Sequence, residues 1–159
     1  MKFIVAVGKM QEVKADSAVL FVREYSQVKD PLLKQLDGAS RNAVKTLLES
    51  GEFSGKAGET AMILRPTGYH AARIILVGLG ESKKVSADSY RSATGLISRN
   101  KALTNSKKAA IFFERPADAG QVQAVVEGYL LGSFRMLEYK SGDDKEDKNK
   151  LAEIVVVVD

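Results

Sequence analysis

Three groupings in this sequence have residue types and spacing that could do chemistry. The first is Val77-Gly78-Leu79-Gly80, which follows an apolar run and precedes a predicted helix. Glycines there let a backbone close on a dinucleotide pyrophosphate beside a helix N-terminus. That fingerprint needs a third glycine where Lys83 stands, and Glu81 would repel a phosphate. Two readings therefore stand, a strand-exit turn or a ligand contact, with Gly78 and Gly80 as the candidate ligand-binding residues. The second grouping, Gly55-Lys56-Ala57-Gly58-Glu59-Thr60, has the composition of a phosphate loop. A Walker loop ends in Gly-Lys-Ser/Thr and enters a helix. Here Ala57 follows the Gly-Lys pair and a predicted strand comes next, so the segment reads as a turn into a strand. The third is the set of metal-binding and nucleophilic side chains. His70 is the only histidine and there are no cysteines, so neither residue type can build a metal cluster within the chain. No serine stands in a Gly-x-Ser-x-Gly elbow. The acids fall mostly in the run at 143–147 or on predicted helix surfaces, with no spacing that points to a carboxylate metal site. The expectation is no catalytic residue and no metal ligand in this chain.

The composition bounds what remains. With 159 residues, 45% hydrophobic and 28% charged, the sequence has the size and balance of one globular domain with one substantial core. No apolar run approaches the roughly 20 residues of a membrane helix. The opening Met1-Lys2-Phe3-Ile4-Val5-Ala6-Val7 alternates like a strand and lacks the apolar region of a secretory signal. A cytoplasmic location and no membrane partner are expected. The net charge of +4 comes from 24 basic residues against 20 acidic ones. Its clusters are only pairs, Lys83-Lys84 and Lys107-Lys108, which reads as a solvated surface rather than a nucleic-acid stripe.

The elements that must hold these residues follow from periodicity. Residues 2–7 and 17–22 read as strands. Asp30-Pro31 starts a short helix carrying Leu32, Leu33 and Leu36, expected to break at Asp37-Gly38. Ser40 is the expected cap of a second helix, with Val44, Leu47 and Leu48 inward and Gly51 at its C-terminal end. Residues 60–65 and 73–77 form strands joined by Pro66-Thr67-Gly68, an antiparallel pair. Ser86 opens a helix expected to run to about Thr104, with Tyr90, Ala93 and Ile97 inward, before a strand at 109–113. Asp118 and Gln121 have capping-box spacing. After them Val122, Val125, Val126, Tyr129, Leu130, Phe134 and Leu137 read as one continuous apolar face. A polar stretch at 141–150 precedes a central strand at 154–158. Strands alternating with helices give a three-layer α/β/α sandwich on a mixed, largely parallel sheet.

Three stretches together resemble the N-terminal domain of the leucyl aminopeptidase, or cytosol aminopeptidase, family. They are the turn containing Gly55 and Gly58, the strand 73–77 ending in Gly78 and Gly80, and the helix segment from Glu127 to Ser141. The last carries Glu127, Gly128, Leu131, Gly132, Phe134, Tyr139 and Lys140. These signature positions are expected to be structural. The resemblance spans almost the whole chain and implies a macro-domain-like fold. It also implies a separate catalytic domain with two metal ions, zinc or manganese, which activate water against an N-terminal peptide bond. The ligand motif of that domain, Asn-Thr-Asp-Ala-Glu-Gly-Arg-Leu, has no counterpart in these residues, so the chain itself is expected to be inactive and free of cofactor. Its implied partners are its own catalytic domain and the other subunits of a homo-hexamer. DNA contact, or a stand-alone macro-like ligand-binding role, are the alternatives.

Overall fold

The computed structural model describes residues 1–24, 28, 30–138 and 150–158. Six strands form one sheet in the order β1-β6-β5-β2-β4-β3. They are β1 (Lys2–Ala6), β2 (Ser17–Arg23), β3 (Thr60–Leu64), β4 (Arg73–Gly80), β5 (Lys108–Phe112) and β6 (Glu153–Val157). Every pairing is parallel except β3 with β4, where the short turn forces an antiparallel return. The last strand lies between β1 and β5, so it is an inner strand as its unbroken valine run predicts.

Both faces of the sheet are covered. Helices α1 (Pro31–Ala39) and α2 (Ala43–Ser50) seal one side over Leu20, Val22, Ile74, Leu76 and Val155. Helices α3 (Ala87–Ile97), α4 (Lys101–Thr104) and α5 (Ala119–Glu138) seal the other over Val19, Phe21, Ile75, Val77, Ile111 and Val156. Consecutive residues of β4 thus alternate between two cores, which is why that strand is apolar throughout. The result is the three-layer sandwich expected from the sequence.

The helix boundaries depart from the sequence expectation in three places. Helix α1 does not break at Asp37-Gly38 but continues to Ala39. Asp37 is buried and acts as the corner post instead. Its Oδ1 accepts from the N–H of Lys45, in the first turn of α2, at 2.8 Å, and its carbonyl accepts from Ser40 and Asn42. That also displaces Ser40 as the cap of α2. The helix starts after Asn42, whose φ of 61° turns the chain sharply, and receives its side-chain cap from the preceding helix. The helix expected over 86–104 is two helices. Asn100 leaves helical geometry and accepts from the N–H of Ala102 at 2.9 Å, restarting the chain as α4.

Helix α5 begins with a reciprocal capping box. Asp118 Oδ1 accepts from the Gln121 N–H at 2.8 Å, and Gln121 Oε1 accepts from the Asp118 N–H at 3.1 Å. Its apolar stripe is narrower than the spacing implies. Val125 and Tyr129 are buried, but Leu130 and Phe134 are exposed, and the Leu137 side chain lies outside the described residues. Ala124 is buried as well, and α5 turns Gly128 and Gly132 toward the backbone and Ser98 side chain of the α3 region.

Candidate functional site

The two glycine groupings meet at the carboxyl end of the sheet. The segment 54–59 crosses over the end of β4. The Gly78 N–H donates to the Glu59 carbonyl at 2.9 Å, and the Gly80 N–H donates to the Gly55 carbonyl at 2.9 Å. A Cβ on Gly78 would collide with the Lys56 carbonyl and lie 2.7 Å from the Gly55 carbonyl carbon. One on Gly55, itself at φ 86°, would collide with the Arg23 carbonyl. The pattern thus serves the crossing of backbones at van der Waals contact. Both amides that a phosphate would use are already bonded within the protein. Glu59 fastens the segment. The Ser54 N–H donates to its carboxylate at 2.8 Å, and the Ser54 hydroxyl and the Lys56 N–H donate as well. These bonds, the Ser54 amide foremost, hold the Glu59 pKa below the ordinary glutamate value. Gly58, at φ 88°, makes the turn with open space around it.

Beside this crossing lies an ion pair absent from the sequence reading. Arg23 at the end of β2 meets Glu114 just beyond β5, Nη1 to Oε2 at 3.4 Å, with both side chains nearly buried. The Arg23 N–H also donates to Glu114 Oε1 at 3.4 Å. Under the pair, Phe21, Tyr90 and Phe113 pack with ring centroids 5.1–5.5 Å apart. Burial raises the Tyr90 phenol above its usual pKa. A doubly wound sheet commonly takes ligands where neighbouring strands send their connections to opposite faces. Here β2 leads to α1 and β5 leads to α5, and the ion pair ties the two exits together. A further cleft of about 280 Å³ lies at the ends of β5 and β6, with Gly8, Met10, Leu32 and Val157 in its walls. The Gln11 amide closes against Gln35 at 2.9 Å along its rim. Neither the ion pair nor the cleft had a local signal, because Arg23 and Glu114 are 91 residues apart.

The remaining signature positions lie where α3 and α5 cross. A Cβ on Gly128 would collide with the Arg91 carbonyl, and one on Gly132 would come within 2.6 Å of the Gly95 carbonyl. Glu127 locks the crossing from its side. It accepts from Gln123 at 2.7 Å and from Arg91 Nε at 2.9 Å, contacts that lower its pKa in that order. Arg91 also pairs with Asp88. Leu131 and Phe134 project outward, 59% and 60% exposed. Tyr139 and Lys140 lie outside the described residues. Among the described residues no three His, Asp or Glu side chains form a group that could hold a metal ion. No described helix is long and apolar enough to cross a membrane.

The model of the cytosol aminopeptidase family, N-terminal domain, matches residues 19–143, most of the chain. The chain belongs to the cytosol aminopeptidase family. A Syntrophotalea carbinolica protein described as a probable cytosol aminopeptidase is 31% identical over 99% of this chain, which covers 32% of that relative. A Roseiflexus castenholzii protein with the same description is 28% identical, again over 99% of this chain and 30% of the relative. The chain therefore spans about a third of the length of the curated relatives it matches. Among solved structures, a tomato leucine aminopeptidase mutant superposes with TM-score 0.78 at 22% identity, over 99% of this chain and 32% of that one. The macrodomain of Thermus aquaticus DarG superposes with TM-score 0.63 at 12% identity, over 98% of this chain and 97% of its own. At these identities both likenesses concern the fold, and the macro-domain-like sandwich is the fold they share with this family domain.

Proposed function

We propose that this chain acts as the non-catalytic N-terminal domain of a metal-dependent aminopeptidase, organising the enzyme while a separate catalytic domain does the chemistry. The observation that carries this reading is the family match over residues 19–143 of a chain about a third as long as its relatives. The geometry supports it, since Gly55, Gly78, Gly80, Gly128 and Gly132 all sit at backbone contacts or bonds within the domain. In this reading zinc or manganese belongs to the catalytic domain, where two metals would polarise the substrate carbonyl and activate water. Assembly into a homo-hexamer and a cytoplasmic location belong to the same proposal. The DNA alternative is disfavoured by charge pairing: Lys84 bonds Glu81 at 3.4 Å, and Lys108 bonds Glu153 at 2.7 Å.

The test is hydrolysis of leucine amide with added zinc or manganese. The pure 159-residue chain should show no turnover, and the complete product of its reading frame should show metal-dependent turnover. Turnover by the short chain, or a complete product that is inert with either metal, overturns the proposal.

A further inference from the structure

The apolar surface of this domain is distributed unevenly. Among the described residues, the exposed large apolar side chains are Met1, Val5 and Val7 at the β1 edge, and Met62, Leu64, Leu96, Leu130, Leu131 and Phe134. The second group lies on one side of the molecule. Leu96 is on α3, and Leu130, Leu131 and Phe134 are on α5. On β3, Ala61 and Ile63 pack into the α1–α2 core, so alternation turns Met62 and Leu64 to the α3 side. Helices α1 and α2 contribute none of these exposed side chains. Leu96 stands as a ridge between two grooves. One, about 380 Å³, runs along the α3–α5 crossing, where close glycine packing leaves a trough bordered by Leu96 and Leu131. The other, about 490 Å³, separates α3 from the end of β4 and the turn at Gly58.

We propose that this face, from β3 across α3 to the outer side of α5, is where the catalytic domain of the same polypeptide docks. The inference rests on the functional reading above and adds the surface to it. Two observations choose this occupant. The relatives are about three times as long as this chain, and the matching model is of an N-terminal domain, so a large body follows it in the family. The exit from β6 also lies beside the start of α5, the helix that carries part of the patch. The Ala117 N–H donates to the Val158 carbonyl at 3.1 Å, which sets the end of the last strand against the start of α5. From there Leu131 is about 18 Å along the helix, at about 1.5 Å per residue. A body tethered at that point reaches the patch without a long linker, and the tether supplies a high effective concentration. Arg99 borders the trough, exposed and without an ion pair to any described residue, so the docked surface carries an apolar ridge flanked by a carboxylate.

The absence of cysteine makes the test direct. Leu96→Cys and Leu131→Cys report on the face, and Lys45→Cys on α2 serves as control. Maleimide labelling rates, read by peptide mass spectrometry, are compared between the 159-residue chain and the complete product of its reading frame. All three positions should label rapidly in the short chain. In the complete protein, positions 96 and 131 should slow at least about tenfold while position 45 keeps its rate, because burial restricts labelling to local opening. Equal rates at 96 and 131 in the complete protein overturn the docking face. Slow labelling in the short chain that quickens on dilution assigns the face to a second copy and overturns it as well. Leucine-amide turnover on the same preparation separates the two levels. An active enzyme with unprotected cysteines refutes only the surface, whereas a complete product without turnover removes the functional reading and the docking together.

Discussion

Gly38 and Gly128 are both helical glycines, and the structure gives them opposite responses to the same substitution. Gly38 lies on the exposed side of α1, and an alanine methyl there would meet nothing within 4 Å. Gly38→Ala removes backbone freedom from the unfolded chain and should stabilise by about 0.5–1 kcal/mol. Gly128→Ala drives a methyl into the Arg91 carbonyl, and the two helices must separate. It should cost about 3 kcal/mol, at the upper end for overpacking against a partner that cannot rotate away. Urea unfolding of the two variants measures both signs in one experiment. Glu59 offers a third residue-level test, this time in pH. Its pKa is depressed in the folded protein, chiefly by the Ser54 amide. Its contribution is therefore fully present above the unfolded glutamate value of about 4.3 and is lost as pH falls through the lower folded value. Glu59→Gln should be less stable than the parent by about 1 kcal/mol at pH 7. The gap should close on acidification, and a gap that stays constant down to pH 3 would refute the assignment.

Between elements, the join of β2 to β5 is the most informative. Arg23 and Glu114 close the sheet's carboxyl end, and among the described residues Arg23 Nε has no hydrogen-bond partner, so the guanidinium depends on its remaining contacts. Glu114→Ala leaves a nearly buried cation and should cost about 2–3 kcal/mol. The double variant Arg23→Met, Glu114→Leu should recover much of that loss, because two apolar groups need no compensation; a double variant as unstable as the sum of the singles would refute coupling. This join also marks the limit of what the sequence could reveal. Strands with unbroken apolar runs, such as 73–77 and 154–158, were legible because burial on both faces leaves no room for polar alternation. The capping box of α5 was legible because its partners are three residues apart. The cap of α2 was not, since it comes from Asp37 on the preceding helix. Nor was the outward turn of Leu130 and Phe134, since apolar spacing does not say which neighbour a helix face meets. The glycines were visible as a pattern, but whether a Gly-x-Gly turn admits a phosphate or another backbone depends on the segment 54–59 crossing it.

At the scale of the molecule, the first and last strands are neighbours, and this sets what can fold alone. Among the described residues, strand β1 is hydrogen-bonded to the sheet only through β6, which in turn pairs with β5. The family match covers residues 19–143 and so includes neither β1 nor β6. A fragment trimmed to that span would lose two of six strands and expose Ile111 and Tyr129, which pack in the core with Ile154, Val156 and Phe3. It would also turn β5 into a bare edge, an invitation to pairing between chains. The parallel β1–β6 pairing joins opposite ends of the sequence, so its loop-closure cost is met only when the final strand is present. The 159-residue chain should therefore unfold in a single cooperative urea transition, and the fragment 19–143 should show no cooperative transition and should aggregate. Circular dichroism and light scattering across a urea series decide between these outcomes. A soluble fragment with a sharp transition would mean that β2 to β5 with their helices hold the fold unaided, and that the outer strands are an addition to it.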